Sequence, residues 1–157
     1  MNALRSLHSW LFGFGSPVTI GVFRMVFGTL ALINLAMVAI DFEAWFTERG
    51  FVPVALLERW SGGIWRLSLL QNVTNDNVTA AFYALTMLAA LFTALGLFSR
   101  VSSVALLVGL VSLHHRCPDI LHSGDTLMRA MAFYVALAPS GALPRSDRVS
   151  AAQSSSR

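Results

Sequence analysis

The stretch Val78-Thr79-Ala80-Ala81-Phe82-Tyr83-Ala84-Leu85-Thr86-Met87-Leu88-Ala89-Ala90-Leu91-Phe92-Thr93-Ala94-Leu95-Gly96-Leu97-Phe98 decides the fold. It carries no charge, is rich in Ala, Leu and Phe, and as a helix is long enough to cross roughly 30 Å of hydrocarbon. Working outward, Val18 to Ile40 is a second apolar run of spanning length, interrupted by Arg24 and Asn34. Val101 to Leu113 is shorter and reaches spanning length if His114 to Cys117 continue the helix until Pro118 stops it. Leu121 to Ala138 contains Asp125 and Arg129, so it must turn a polar face to protein or water. These runs predict an all-α polytopic membrane bundle with about four transmembrane helices, joined by interfacial segments.

Composition points the same way. The chain is 55% hydrophobic and 12% charged, with a mean hydropathy of +0.65, against about 25% charged residues in an ordinary soluble domain. A unit of 157 residues cannot hide this much apolar surface in one small core in water. The expected location is therefore integral to a membrane, taken here as a bacterial cytoplasmic membrane, and the expected partner is the lipid bilayer.

The segments around the spans divide the chain. Residues 1–16, with Leu4-Arg5-Ser6-Leu7-His8-Ser9-Trp10-Leu11-Phe12, mix polar and aromatic side chains as a segment lying flat in the headgroup layer does. A secretory signal also pairs a basic residue with an apolar run. Here the run is too long, contains Arg24 and lacks a small-residue cleavage site, so it reads as a retained span. Asp41 to Asn77 is too long for a plain loop, and its Trp45, Phe46, Trp60 and Trp65 suggest docking at the interface. The transmembrane domain runs over 17–143, and residues 144–157 form a Ser-rich tail expected to be disordered.

All 11 basic residues are arginine. With four spans both termini share one side, which then holds Arg5, Arg100, Arg145, Arg148 and Arg157. The other side holds Arg49, Arg59, Arg66 and Arg116, mostly in a long loop where charge bias counts less, so N-in and C-in is favoured. A sequence pI near 10.0 with a net charge of only +3 gives no basic stripe that could track a phosphate backbone, so nucleic acid is not an expected partner. One cysteine excludes an internal disulfide framework.

Up-down topology sorts the polar residues by depth. Arg24 falls near one interface, as a membrane-interface arginine that snorkels to phosphate or caps a neighbouring helix. Asp125 and Arg129 fall near the other, together with Asn34, Asp41, His115, Arg116 and His122. Asn34, Asp41, Arg116, Asp125 and Arg129 are expected to line one polar cavity on that side. Asp125 and Arg129 are four residues apart and can pair on one helical face, as a site or as self-neutralisation at the bilayer edge. Ser123 suits a helix N-cap, and Gly124 suits close approach or positive φ.

If a proton moves there, Asp125, His115 or His122 must move it, because arginine keeps its proton; these are the catalytic candidates. His114 and His115 point about 100° apart on a helix. The His114, Cys117 and His122 spacing matches no standard zinc pattern, so no metal is expected. Ala80, Ala81, Ala84, Ala89 and Ala90, with Gly96 and Gly109, suit close helix packing. No nucleotide-binding glycine loop, nucleophile elbow or kinase signature is present.

Four marks in order carry a family resemblance: Ser16-Pro17-Val18-Thr19-Ile20-Gly21-Val22-Phe23-Arg24-Met25-Val26-Phe27-Gly28, Gly50-Phe51-Val52-Pro53, Leu95-Gly96-Leu97-Phe98-Ser99-Arg100, and the His115–Arg129 block. Together they resemble the horizontally transferred transmembrane (HTTM) family, which is related to vitamin K-dependent gamma-carboxylase. The resemblance reaches to about Ala142 and covers the N-terminal half of that family's bundle, since its members are generally longer. The family usually carries Gly-Gly-Asp where this chain has Ser123-Gly124-Asp125.

The resemblance implies a quinone-type lipid as the one cofactor class to consider. A lysine is the proposed base of the carboxylase branch, and this chain has none. A complete gamma-carboxylase-like activity is therefore not expected, and enzyme status stays open. Three functions follow. One is a polar cavity for a quinone or lipid, in a truncated or split component of a carboxylase-like or redox enzyme. The others are a non-catalytic membrane subunit that self-associates or binds a second subunit, and a small proton or ion pathway.

Overall fold

The computed structural model describes residues 17–61, 67–118 and 122–138. The interfacial segment 1–16, the tail 144–157 and Trp65 lie outside the described residues, as does the side chain of Trp60. Among the described residues the chain is entirely helical. The long helices are α1 (Pro17–Ala39), α4 (Asp76–Leu95), α5 (Ser99–Arg116) and α6 (Ser123–Leu137), with the short α2 (Phe42–Phe46) and α3 (Val54–Ser61) between α1 and α4. Two helices, over Ile20–Ala39 and Asp76–Leu95, are long and apolar enough to cross a membrane.

Local sequence sets the helix ends. Pro17 sits in the first turn of α1, where its missing N–H would have had no intrahelical acceptor. The side chain of Asn75 caps α4 by accepting the Asn77 N–H at 3.0 Å. Gly96, at φ 72°, closes α4 in the left-handed region, and the Leu97 N–H donates back to the Phe92 carbonyl at 2.9 Å. Gly96 thus serves as a cap and not as a packing residue. Helix α5 continues through His114 and Arg116 and stops at Cys117, ahead of Pro118. Helix α6 starts one residue earlier than Ser123 as N-cap would require: His122 holds that position, and Gly124 lies inside the helix with φ in the ordinary range.

The long helices pack in sequence, α1 on α4, α4 on α5 and α5 on α6, and the α1–α6 contact that closes the ring is the slightest of the four. The packed faces mix small and hydroxylated residues with large apolar ones. On α4 the inward positions are Thr79, Tyr83, Thr86, Ala90 and Thr93, and on α5 they include Ser102, Ser103, Leu106, Gly109, Leu110 and Leu113. The buried hydroxyls satisfy themselves on their own helix, Thr86 donating to the Phe82 carbonyl at 2.9 Å, Thr93 to Ala89 at 2.8 Å and Ser103 to Ser99 at 2.6 Å. No partner helix need supply an acceptor, so the helices can approach closely.

Two glycines mark the closest approaches. A Cβ at Gly28 of α1 would run into the backbone of Thr93 and Ala94 on α4, and one at Gly109 of α5 would run into the Thr86 side chain. Ala89 and Ala90 are buried in the same contacts, whereas Ala80, Ala81 and Ala84 face outward and take no part in them. Many large apolar side chains also point outward. Val22, Met25, Ile33 and Met37 on α1, Leu85, Leu88 and Leu95 on α4, Val101, Val104 and Val108 on α5, and Leu127, Phe133 and Leu137 on α6 are all exposed.

Candidate functional site

The end of the bundle where α1 and α5 finish and α4 and α6 begin is tied together by the Asp41–Asn75 connection. Phe42, Phe46 and Tyr83 form an aromatic group, with Phe42 edge-on to Tyr83 at 5.1 Å between centroids. The Cys117 thiol donates to the Trp45 carbonyl at 3.2 Å, and the Ser68 hydroxyl donates to the Ser112 carbonyl at 2.8 Å. Glu48 is the hub of the connection. Its carboxylate accepts the Val54 N–H at 3.0 Å where α3 starts, and its own N–H donates to Asp76 at 2.9 Å.

Arg116 completes this anchor. Its side chain is 1% exposed, with Nη2 on Glu48 Oε1 at 3.1 Å and Nη1 on the Val52 carbonyl at 3.2 Å. The guanidinium therefore holds the connection against the end of α5, away from the cavity it was expected to line. Its partner lies 68 residues earlier in the chain, and no local pattern in the sequence points to it.

Beside this anchor a cavity of about 310 Å³ opens between α1 and α6. Asn34 and Asp41 contribute from the end of α1, Tyr83 from α4, His114 from α5, and His122 and Asp125 from the start of α6; Trp45 and Phe46 supply part of its apolar wall. Four of the residues singled out from the sequence thus meet here, Asn34, Asp41, His122 and Asp125. Arg116, Arg129 and His115 are not among the lining residues.

Each polar side chain is held differently. The Asp125 carboxylate accepts the His122 N–H at 2.8 Å, reaching back over the first turn of α6 and fixing the two residues against one another. Arg129 directs Nη2 to the Thr126 hydroxyl at 3.3 Å, and among the described residues Asp125 and Arg129 form no ion pair. The Tyr83 hydroxyl donates to the Leu35 carbonyl at 2.5 Å, which turns its ring into the wall and leaves its oxygen able to accept. His114 is 8% exposed, and its Nδ1 is buried without a hydrogen-bond partner.

Tyr83 and His114 are the lining residues that sequence reasoning passed over. Tyr83 sits in the charge-free run, where an aromatic residue passes for a lipid-facing one. Its position between Thr79 and Thr86 was the available signal, because polar residues recurring every three or four positions along an apolar helix mark its inward face. His114 was set aside beside His115, since the two cannot face one ligand; the helix phase puts His114 on the cavity.

Comparison of the chain with protein-family models, curated proteins and solved structures finds no match. The chemistry open to the site follows from its own side chains. A group with a compact polar head fits about 310 Å³, the lower end of ligand-site volumes. Imidazole and carboxylate groups there can exchange hydrogen bonds with such a head and, between them, a proton. Among the described residues no three His, Cys, Asp or Glu side chains converge as metal ligands do.

Proposed function

We propose that the chain is an integral membrane helix bundle of the HTTM type whose polar cavity takes the head of a lipid-soluble ligand, of quinone or lipid class. The observation that carries this reading is the buried Nδ1 of His114, unpartnered at a cavity shared with Tyr83, Asn34, Asp41, His122 and Asp125. A buried polar group without a partner costs about 1–3 kcal/mol, and a ligand's hydrogen-bonding head removes that cost.

The membrane half of the proposal is supported by the apolar outer surface of the long helices. Hydroxylated residues and glycines share the helix contacts with Leu106, Leu110 and Leu113, while many other large apolar side chains face outward, as they do when lipid is the solvent. Only 22% of the apolar window of α1 and 33% of that of α4 are buried within the bundle, whereas a core helix of a water-soluble protein is buried over most of its surface. The HTTM assignment is supported by the order of the sequence marks alone, and the quinone class by that resemblance.

The test is binding of a short-chain benzoquinone to the purified protein in mild detergent, followed by tryptophan quenching, since Trp45 lines the cavity. We expect saturable quenching that weakens about tenfold in His114→Phe, the equivalent of one lost hydrogen bond. Quenching that rises linearly without saturation, or is unchanged in the variant, refutes the proposal. A second reading, a non-catalytic subunit whose polar residues only orient helices, is favoured at Arg116, which makes structural contacts alone. Reproducible co-purification of a second subunit, or self-association, together with unsaturable quenching, would decide for it.

A further inference from the structure

The opposite end of the α1–α6 seam holds a second cavity, of about 300 Å³, lined by Ile20, Phe23 and Arg24 of α1 and by Tyr134, Val135 and Ala138 at the end of α6. Among the described residues Arg24 is its only charged wall residue. The Nε and Nη1 atoms of this guanidinium are sealed from solvent and have no hydrogen-bond partner. Two guanidinium nitrogens buried beside Ile, Phe, Val and Ala side chains, with no acceptor among the described residues, are a costly arrangement, and it is relieved by an anion that brings acceptor oxygens to the planar donor face.

The surroundings specify what kind of anion. Phe23 and Tyr134, on the two lips of the cavity, are exposed, as are Val26 and Leu30 further along α1. An occupant must therefore present oxygens to Arg24 and hydrocarbon to the outward apolar face of α1. Free phosphate meets the first demand only.

We infer that the Arg24 cavity is a binding site for an anionic phospholipid, its phosphate on the Arg24 guanidinium and an acyl chain lying against the α1 face. The inference rests on the membrane reading above and is independent of the cavity at the other end. It makes Arg24 a lipid ligand and gives the seam between α1 and α6 a lipid that fills the gap their side chains leave.

The experiment is native mass spectrometry of the full chain in detergent, titrated with phosphatidylglycerol or phosphatidylcholine, alone and with inorganic phosphate added. We expect wild-type protein to retain phosphatidylglycerol about tenfold better than phosphatidylcholine, whose choline ammonium offsets the charge of the same phosphate. Arg24→Gln abolishes the preference, Arg24→Lys keeps part of it, and millimolar inorganic phosphate fails to displace the lipid. Ala138→Phe, which fills the cavity and leaves Arg24 in place, lowers retention of both lipids.

An unchanged preference in Arg24→Gln overturns the inference, as does displacement by inorganic phosphate. So does a preference that appears only in Asp147→Asn, which would mean that Asp147, the sole acidic residue after α6, is the natural counter-ion. Extraction of the wild-type chain from membranes by alkaline carbonate would instead refute the membrane reading, and is measured separately.

Discussion

Arg116 and Arg24 enter the bundle from opposite ends and are treated in opposite ways. Arg116 is sealed at the tip of α5, where the Asp41–Asn75 connection folds back to give it a carboxylate and a carbonyl. Arg24 lies half-buried beside α6, where nothing in the described residues offers its sealed Nε or Nη1 an acceptor. The same side chain is a staple in one place and an unanswered charge in the other. What differs is the backbone around it: an irregular connection has carbonyls to spare, whereas a helix uses its own. The contrast extends along α1, whose flank against α4 is pressed to backbone contact at Gly28 while its flank against α6 leaves a cavity at each end.

The largest expected effect comes from breaking the staple. Arg116→Leu takes the ion-pair partner from Glu48, which keeps the Val54 N–H, and the donor from the Val52 carbonyl, and should lower stability by about 3 kcal/mol, read as a drop in the thermal unfolding midpoint of the detergent-solubilised protein. Unchanged stability would mean the guanidinium does not hold the connection.

Next is the tight flank of α1. Gly28→Leu forces α1 away from Ala94, at a cost of about 2 kcal/mol for overpacking against backbone that cannot yield. The same measurement checks it, with Gly21→Leu as the neutral comparison, because a Cβ at Gly21 meets nothing.

Arg24→Leu should act with the opposite sign in delipidated protein, raising stability by about 1 kcal/mol because two buried guanidinium nitrogens without acceptors are removed. Loss of stability there would show that Arg24 is already satisfied within the chain and would erase the contrast with Arg116.

The smallest effect is expected at Thr93→Val, within about 0.5 kcal/mol. Its hydroxyl only bonds back to the Ala89 carbonyl of its own helix, so the methyl that replaces it keeps the packing. A large loss would mean that the inward hydroxyls bind across helices.

The apolar runs made the long helices legible, since a helix of spanning length declares itself over many residues. Chain order also sorted Arg24 to one end and Asp125 to the other, because antiparallel helices count depth in opposite directions. Through-space partners were not legible. Glu48 meets Arg116 only because the connection doubles back, and the expectation that Asp125 pairs with Arg129 considered helical spacing without the cap that Asp125 makes to His122. Ala80, Ala81 and Ala84 were assigned to packing by residue type, yet helix phase turns them outward and turns Thr79, Tyr83 and Thr86 in. A run without charge reveals its length before it reveals its faces.

The turn Gly96-Leu97-Phe98, with both Gly96 and Phe98 left-handed, also bears on the order of assembly. It brings α4 and α5 together at once, so their contacts form between near neighbours in the chain and carry little loop-closure entropy. Helices α1 and α4 are far apart in the chain, so their contact carries a larger loop-closure cost. The α1–α6 seam joins the helices farthest apart in sequence and touches least. With the slightest contact to break, that seam is expected to open before the α1–α4 and α4–α5 contacts do, read as faster amide exchange along α6 than along α4.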